Sequence, residues 1–261
     1  MIDIDIRDIK NVAREAGREI LKYYSKEYYI SQKSDNTPVT EADLASDRII
    51  RAGLNKYNIP ILSEETEDSK SRLDSEYVWI IDPLDGTSDF IQGTDDFSVL
   101  IGLSKGGQPI LGIVYTPVTD KIYFAEKGKG AFVKYKKNIK QIRVSNTDNF
   151  SEATIILSRN HLLDSEVEFF QKAEIKNKVK MGSAGLKICQ IAEGRAEIYV
   201  SFSRKVSEWD TCAGKIILEE ANGIITDMSG RDLTYNNPNP KHLDGLIASN
   251  GLLQEKIIKR I

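Results

Sequence analysis

Only two cysteines and two histidines occur in 261 residues. Cys189 and Cys212 have no CxxC spacing and no histidine nearby. Neither a disulfide framework nor a zinc finger is indicated, and both are expected as reduced, semi-buried thiols. With His161 and His242 alone, a His-rich metal site or a Ser-His-Asp triad is hard to assemble. Acid–base and metal chemistry must therefore lean on carboxylates. No apolar run approaches the roughly 18 residues of a membrane span. The opening MIDIDIRDIK has early acids and no apolar segment of a signal peptide, so a cytoplasmic protein is expected. An excess of one charge is missing too. Lys and Arg number 36 against 39 Asp and Glu, which leaves no footprint for nucleic acid or an acidic membrane. A small phosphate ligand stays open, because a metal can supply positive charge locally.

What is present is an ordinary globular composition with 40% hydrophobic residues, enough for one large domain or two closely packed ones. Ile6, Ile9, Val12, Ala13, Ala16, Ile20 and Tyr23 recur at helical spacing over 6–24. Ser34–Pro38 reads as a turn. A second helix is expected after Thr40 as N-cap, with Ala42, Leu44, Ile49, Ile50 and Leu54 inward. Strands follow at 59–62, at Tyr77–Ile81 (a run that stops at Asp82), and at 98–103, 109–115 and 121–125, as an antiparallel meander. Strands at 153–158, 196–200, 223–227 and 244–248 then alternate with helices at 184–193 and 211–221. The expected class is α+β or α/β, with a soft boundary near residue 150 between halves 1–150 and 151–261.

The chemistry concentrates in acidic segments. Asp82-Pro83-Leu84-Asp85-Gly86-Thr87 delivers two carboxylates from a buried strand into a Pro/Gly turn. Adjacent carboxylates repel, and one tends to protonate unless a cation neutralises them. Hard, oxygen-only ligation suits Mg²⁺. Thr87-Ser88-Asp89-Phe90 can open a helix whose first N–H groups face an anion such as phosphate. Ile61-Leu62-Ser63-Glu64-Glu65 ends another short strand in acids. Ser207-Glu208-Trp209-Asp210 places an acid at a helix start, as does Thr40-Glu41-Ala42-Asp43. Each of these also reads as a solvated acidic turn or a helix cap.

Together the segments resemble the inositol monophosphatase superfamily of metal-dependent, lithium-sensitive phosphatases. Trp79-Ile-Ile-Asp82-Pro-Leu-Asp85-Gly-Thr87-Ser-Asp-Phe90 looks like its first signature, and Trp209-Asp210-Thr-Cys-Ala-Gly214 like its second. The resemblance implies a layered α-β-α-β-α sandwich of the inositol monophosphatase and fructose bisphosphatase type, with two or three Mg²⁺ ions. It implies Glu64, Asp82 and the Leu84 carbonyl as ligands of one metal, and Asp82, Asp85 and Asp210 as ligands of another, with Glu65 a weaker candidate. Asp85, Gly86, Thr87 and Ser88 occupy the phosphate cradle, and Asp43 partners Thr87 to take a proton from the attacking water beside Glu64.

Lys33–Asp43, Ser158-Arg159-Asn160-His161 and Gly182-Ser183-Ala184-Gly185-Leu186-Lys187 resemble the 3′(2′),5′-bisphosphate nucleotidase branch. That similarity implies Ser158, His161, Ser183, Lys187 and Asp210 as substrate-binding residues, with Lys187 suited to a second phosphate. Phe202-Ser203-Arg204-Lys205-Val206 departs from the branch's Gly-Pro-Thr stretch, and Ser203 stands where inositol-specific members carry an acid. Adenosine 3′,5′-bisphosphate, a small phosphate monoester, is the expected substrate. Inositol 1-phosphate or fructose 1,6-bisphosphate is the alternative, and a non-catalytic binding regulator a remote one. A monomer or homodimer is expected. The polar stretch Glu65–Glu76 is expected to be a mobile flap.

Overall fold

In a computed structural model that describes residues 4–24, 30–32 and 38–261, α1 (Ile6–Tyr23) begins where Asp5 accepts the Arg7 N–H at 2.8 Å. It buries Ile9, Val12, Ala13, Ala16 and Ile20. The segment expected to turn at Ser34–Pro38 lies largely outside the described residues. Short strands β1 (Ile30–Gln32) and β2 (Pro38–Thr40) pair antiparallel. Thr40 caps α2 (Glu41–Leu54) as expected. Leu44, however, points outward at 45% exposure. The buried face of α2 instead includes three polar residues, Asp43, Ser46 and Asp47. Hydrophobic spacing alone does not show a face that is buried for polar work.

Next come β3 (Ile61–Ser63), β4 (Tyr77–Asp85), α3 (Thr87–Gln92), β5 (Ser98–Lys105), β6 (Gln108–Thr116), β7 (Lys121–Glu126), β8 (Ala131–Tyr135) and β9 (Asn138–Gln141). The seven strands form one sheet in sequence order. It is mixed, because β3 runs parallel to β4 while the rest are antiparallel. β8 and β9 were not expected; β9 is exposed along its whole length and carries no apolar alternation. β4 also does not stop at Asp82. Asp82 pairs with Leu100 and Asp85 with Ser98, three residues against two, so a bulge lies between them. The extra residue has a chemical consequence. Strand neighbours three apart ordinarily point to opposite faces, and the bulge returns Asp82 and Asp85 to one face.

The remaining elements are β10 (Thr154–Ser158), α4 (Asp164–Lys172), β11 (Asn177–Met181), α5 (Ala184–Ala192), β12 (Ile198–Ser201), α6 (Glu208–Glu220), β13 (Ile224–Thr226), β14 (Leu246–Ser249) and α7 (Gln254–Ile258). The second sheet has the order β11-β10-β12-β14-β13, with β11, β10 and β12 parallel. Its edge strand β11, Asn-Lys-Val-Lys-Met, is solvated and lysine-bearing, a composition that blunts edge-to-edge pairing and hides the strand in the sequence.

The burial clusters define the layers. Ile9, Ile20, Ala42 and Ile50 of α1 and α2 pack with Trp79, Ile81, Ile101 and Ile113 on one face of the first sheet. The opposite face packs with Leu186, Ile188, Ala213 and Ile217 of α5 and α6, which also meet Ile156, Tyr199 and Ala248 of the second sheet. Phe169 and Phe170 of α4, Leu253 at the start of α7 and Ile257 within it close the far side. The order is α-β-α-β-α. No helix among the described residues is long and apolar enough to cross a membrane.

α6 lies unusually close to the first sheet. Leu62, Ile80, Gly102, Gly112, Ala125 and Ala131 are register partners in one row across it. The row dips at its glycines. A Cβ on Gly102 would fall 2.6 Å from Cys212 Sγ, and one on Gly112 would fall 2.4 Å from the Ala213 carbonyl oxygen. Gly112→Ala should therefore destabilise the fold by roughly 1–3 kcal/mol through overpacking, read as a lower urea midpoint at unchanged slope. A wild-type midpoint would show that α6 is free to back away.

Candidate active site

Two helix starts use the same device. In α2, the Thr40 N–H and hydroxyl donate to Asp43 Oδ2 at 2.8 and 2.5 Å. In α6, the Ser207 N–H donates to Asp210 Oδ2 at 2.6 Å. Each acid is the fourth residue of a Ser/Thr-x-x-Asp capping box. The cap reading of these acids holds and is compatible with the site reading, since the cap fixes the rotamer that aims the carboxylate. Asp43 is fully buried, and its Oδ1 accepts the Thr87 hydroxyl at 2.9 Å. The same hydroxyl lies 3.2 Å from the Leu84 carbonyl oxygen.

The ends of β3 and β4 supply the other acids. One carboxylate oxygen each from Glu64, Asp82 and Asp210 lie within 4.8 Å of one another. The polar face of α2 supports them from below. Asp47 accepts the hydroxyls of Ser63 at 2.5 Å and Thr66 at 3.1 Å, on either side of Glu64. Ser46 donates to the Pro83 carbonyl at 2.7 Å, and the Leu84 N–H donates to Asp82 Oδ1 at 3.0 Å.

Asp85 is held differently. It accepts the Ser183 hydroxyl and the N–H groups of Ala184 and Gly185 at 2.5, 3.1 and 2.8 Å, so it sits at the N-terminus of α5. Ser183 also caps α5 through Leu186 N–H and meets Ser98 Oγ at 2.9 Å. Its hydroxyl is thus committed to Asp85 and the helix, away from the cavity wall where a substrate contact was expected. Gly86 follows at φ +97°, and a Cβ there would strike the Asp96 carbonyl oxygen at 2.8 Å. The turn thus requires glycine twice over. The first intrahelical bonds of α3 run from Asp89 and Phe90 to the Gly86 carbonyl, so the Thr87 and Ser88 amides precede them and face outward.

The electrostatics are unfavourable by construction. Burial first, and then the charges of Glu64 and Asp85, push the Asp82 carboxyl well above its usual range. Burial, Asp85 and Glu64 do the same to Asp210. Burial raises Asp43 and Asp85 as well, against the hydrogen bonds they accept. Lys187 is the buried base on this side. It donates to the Gly182 carbonyl at 2.9 Å and lies 4.8 Å over the Tyr199 ring. Burial lowers its pKa, while Asp85 and Asp210 pull it back up. One buried ammonium does not balance this many acids. An all-oxygen donor set with unrelieved repulsion fits a hard divalent cation.

These groups share a cavity of about 220 Å³. Its lining includes the acids Glu64, Asp82, Asp85, Asp89 and Asp210, the turn residues Leu84, Gly86, Thr87 and Ser88, and the bases His161, Lys187, Lys205 and Lys241. Ser158 is on the wall, and its hydroxyl accepts the His161 N–H at 3.1 Å. Burial, Lys187 and Lys205 hold His161 below the ordinary imidazole value. Arg159 turns away to Asp89 and Asp96. Arg204 is exposed. Sequence reasoning missed Tyr199, Ser201 and Lys241 on the wall; Lys241 arrives through an isolated bridge to Ser207, a contact with no local signature. Nor is Glu65–Glu76 a detached flap. Lys70 donates to the Pro238 carbonyl at 2.7 Å, and Arg72, 2% exposed, bonds to Asn236 and Asn237.

Acids whose pKa is raised on folding bind protons more tightly in the folded chain than in the unfolded one. Stability should then fall as pH rises from the unfolded value near 4 through the raised folded values. For metal-free protein, Tm should therefore fall as pH rises above about 4 toward the alkaline side. Asp82→Asn should raise the Tm at the upper end by about 2–4 °C and flatten the drop. A lower Tm for this variant would contradict the repulsion.

The inositol monophosphatase family model matches residues 4–261. A 3′(2′),5′-bisphosphate nucleotidase CysQ of Salmonella typhimurium is 36% identical over 238 residues, 88% of this chain and 93% of that one. The solved extragenic suppressor protein suhB of Bartonella henselae superposes with a TM-score of 0.85 at 28% identity, covering 98% of this chain and 97% of its own. CysQ from Bacteroides thetaiotaomicron gives 0.81 at 28% identity, over 94% and 96%. The layered sandwich and the two acidic signatures are those of a known fold, and this chain belongs to the inositol monophosphatase family.

Proposed function

We propose that the protein is a Mg²⁺-dependent 3′(2′),5′-bisphosphate nucleotidase that hydrolyses adenosine 3′,5′-bisphosphate to AMP and phosphate. One observation carries this reading. A single cavity has an acid triad, Glu64, Asp82 and Asp210, beside the Asp43–Thr87 pair, and bases on its remaining wall. A substrate with two phosphates suits a lining that holds both kinds of group, one phosphate toward the metal-holding acids and the other toward the bases. Identity of 36% to a nucleotidase adds support, whereas the TM-scores of 0.85 and 0.81 to suhB and CysQ separate the branches little.

Glu64, Asp82, Asp210 and the Leu84 carbonyl are the residues to hold metal, with Asp85 at their edge. Bound divalent ions would lower the pKa of water and neutralise charge on the phosphate and the leaving oxygen. The chain does the rest. Thr87 donates its hydroxyl hydrogen bond to Asp43 Oδ1, so its oxygen presents a lone pair to the attacking water. As water loses its proton to Thr87, Thr87 passes its own to Asp43, whose burial-raised pKa favours receiving it. The Thr87 and Ser88 amides hold the equatorial phosphate oxygens. Lys187, with Lys205, His161 and Ser158 around it, receives the second phosphate, and Ser183 keeps Asp85 aimed.

The halves 1–150 and 151–261 divide this labour, the first supplying Glu64, Asp82 and Thr87 and the second Asp210 and Lys187. Two buried, unbridged cysteines suit a reducing cytoplasm, where such an enzyme would clear a by-product of sulfate activation.

Phosphate release in Mg²⁺ should favour adenosine 3′,5′-bisphosphate over inositol 1-phosphate and fructose 1,6-bisphosphate by about tenfold or more in kcat/KM. The reverse order would move the protein to a sugar-phosphate branch. Lys187→Gln should weaken turnover of the bisphosphate while sparing 3′-AMP, which lacks the second phosphate; equal losses on both would remove Lys187 from that role. Asp43→Ala and Thr87→Ala should each lower kcat by about 10²–10⁴-fold, with Mg²⁺ binding kept. An unchanged kcat would exclude the pair from proton transfer.

A further inference from the structure

Glu64 and Asp210 are 146 positions apart in the chain, yet one carboxylate oxygen of each lies within 4.8 Å of the other and of one from Asp82. Like charges at that spacing push their supporting segments apart, so something must hold the segments together. The chain after Glu64 and the first turn of α6 are joined on the side away from the cavity. Arg72 lies in the loop that follows Glu64. Its Nε and Nη2 donate to Asp68, its Nη1 donates to Asn236 Oδ1 at 2.7 Å, and its Nη2 also reaches the Asn237 carbonyl at 2.9 Å. The Asn236 amide returns a bond to the Arg72 carbonyl at 3.1 Å. The same two asparagines bind Glu208, two residues before Asp210. Asn236 N–H donates to one Glu208 oxygen at 2.8 Å, and Asn237 N–H and its side-chain amide donate to the other at 2.9 Å each. Tyr235 adds a bond from its hydroxyl to Thr211 at 3.1 Å.

We propose that Arg72, acting through Asn236, Asn237 and Glu208, is a positioning residue that fixes the Glu64 loop against the Asp210 helix and thereby sets the affinity of the acid triad for a divalent cation. Three features favour this over a merely structural ion pair. Arg72 and Glu208 are 2% and 1% exposed, and they are joined to each other through the Asn236 and Asn237 amides, while the ion pair of Arg72 is with Asp68 on its own segment. Asn236 is held at φ +63°, outside the ordinary range for a residue with a side chain. The two segments so joined carry two of the three triad acids. A planar fork that contacts three residues is not replaced by an ammonium.

This inference rests on the metal reading of the triad, and its test is chosen to separate the two. Free Mn²⁺ is followed by electron paramagnetic resonance as the full-length protein is titrated, without substrate, for wild type, Arg72→Met and Asn236→Gly. Glycine keeps the left-handed backbone and the N–H to Glu208 while removing the side-chain link, so it preserves folding if the arginine variant does not. Both variants should bind Mn²⁺ about 10–100-fold more weakly, the size seen when groups supporting metal ligands are removed, and kcat at saturating Mn²⁺ should recover while the half-saturating Mn²⁺ concentration does not. Arg72→Lys should not restore the affinity. Wild-type Mn²⁺ affinity in folded Asn236→Gly would overturn the inference alone. Failure of the wild type itself to bind Mn²⁺, with Asp82→Asn indistinguishable from it, would overturn the metal reading and this inference with it.

Discussion

The seating of α6 on the glycine row of the first sheet is the contact on which the site depends. Gly102 and Gly112 are register partners, and the backbone and Cys212 of α6 occupy the space that side chains there would fill. A helix resting on leucines would stand farther off, because packed side chains set interaxial distance. Asp210 is in the first turn of this helix, while Asp82 is on the sheet beneath it. The depth of the trough therefore sets how near the last acid comes to the others. Hydrophobic burial of Ala213, Ile216 and Ile217 supplies the force that holds a charge where charge is disfavoured.

That force works against the electrostatics of the acids. Asp82, Asp85 and Asp210 all have raised pKa values with burial as the leading cause. The chain answers at the periphery with groups that fix direction without cancelling charge: two capping boxes, the α5 N-terminus on Asp85, and the hydroxyls of Ser46, Ser63 and Thr66. Preorganisation of this kind suits the site to a cation, which would relieve the repulsion. Lys187 is the exception, a buried ammonium whose head is tied to the Gly182 carbonyl on the cavity wall.

Periodicity located α1, α2, α5, α6 and most strands, since each buries an apolar stripe. It did not give β8, α4 or α7, nor β9 and β11, which are solvated edges, and it failed for Leu44, where the buried face of α2 is polar. The site was legible where acids cluster locally, as in Asp82–Thr87. Ser183 was read as touching substrate, but its geometry commits it to Asp85; a serine that caps a helix looks the same in sequence whichever acid it also holds. Glu65–Glu76 read as loose because it is polar, yet Arg72 is among the most buried charged residues in the protein.

The order of residues by itself determined the acids and their local frames. A Ser/Thr-x-x-Asp start makes its own cap, and a Pro/Gly turn after a buried strand makes its own bend, through contacts within a few residues. Tertiary structure alone decided which of these acids meet. The bulge that turns Asp82 and Asp85 to one face needs β5 as its partner. The triad needs β3, β4 and α6 brought together, and the Arg72–Asn236–Glu208 link needs three segments far apart in the chain. Such contacts are set by the packing of layers, whose energy is spread over the whole core, and no short stretch of sequence carries it.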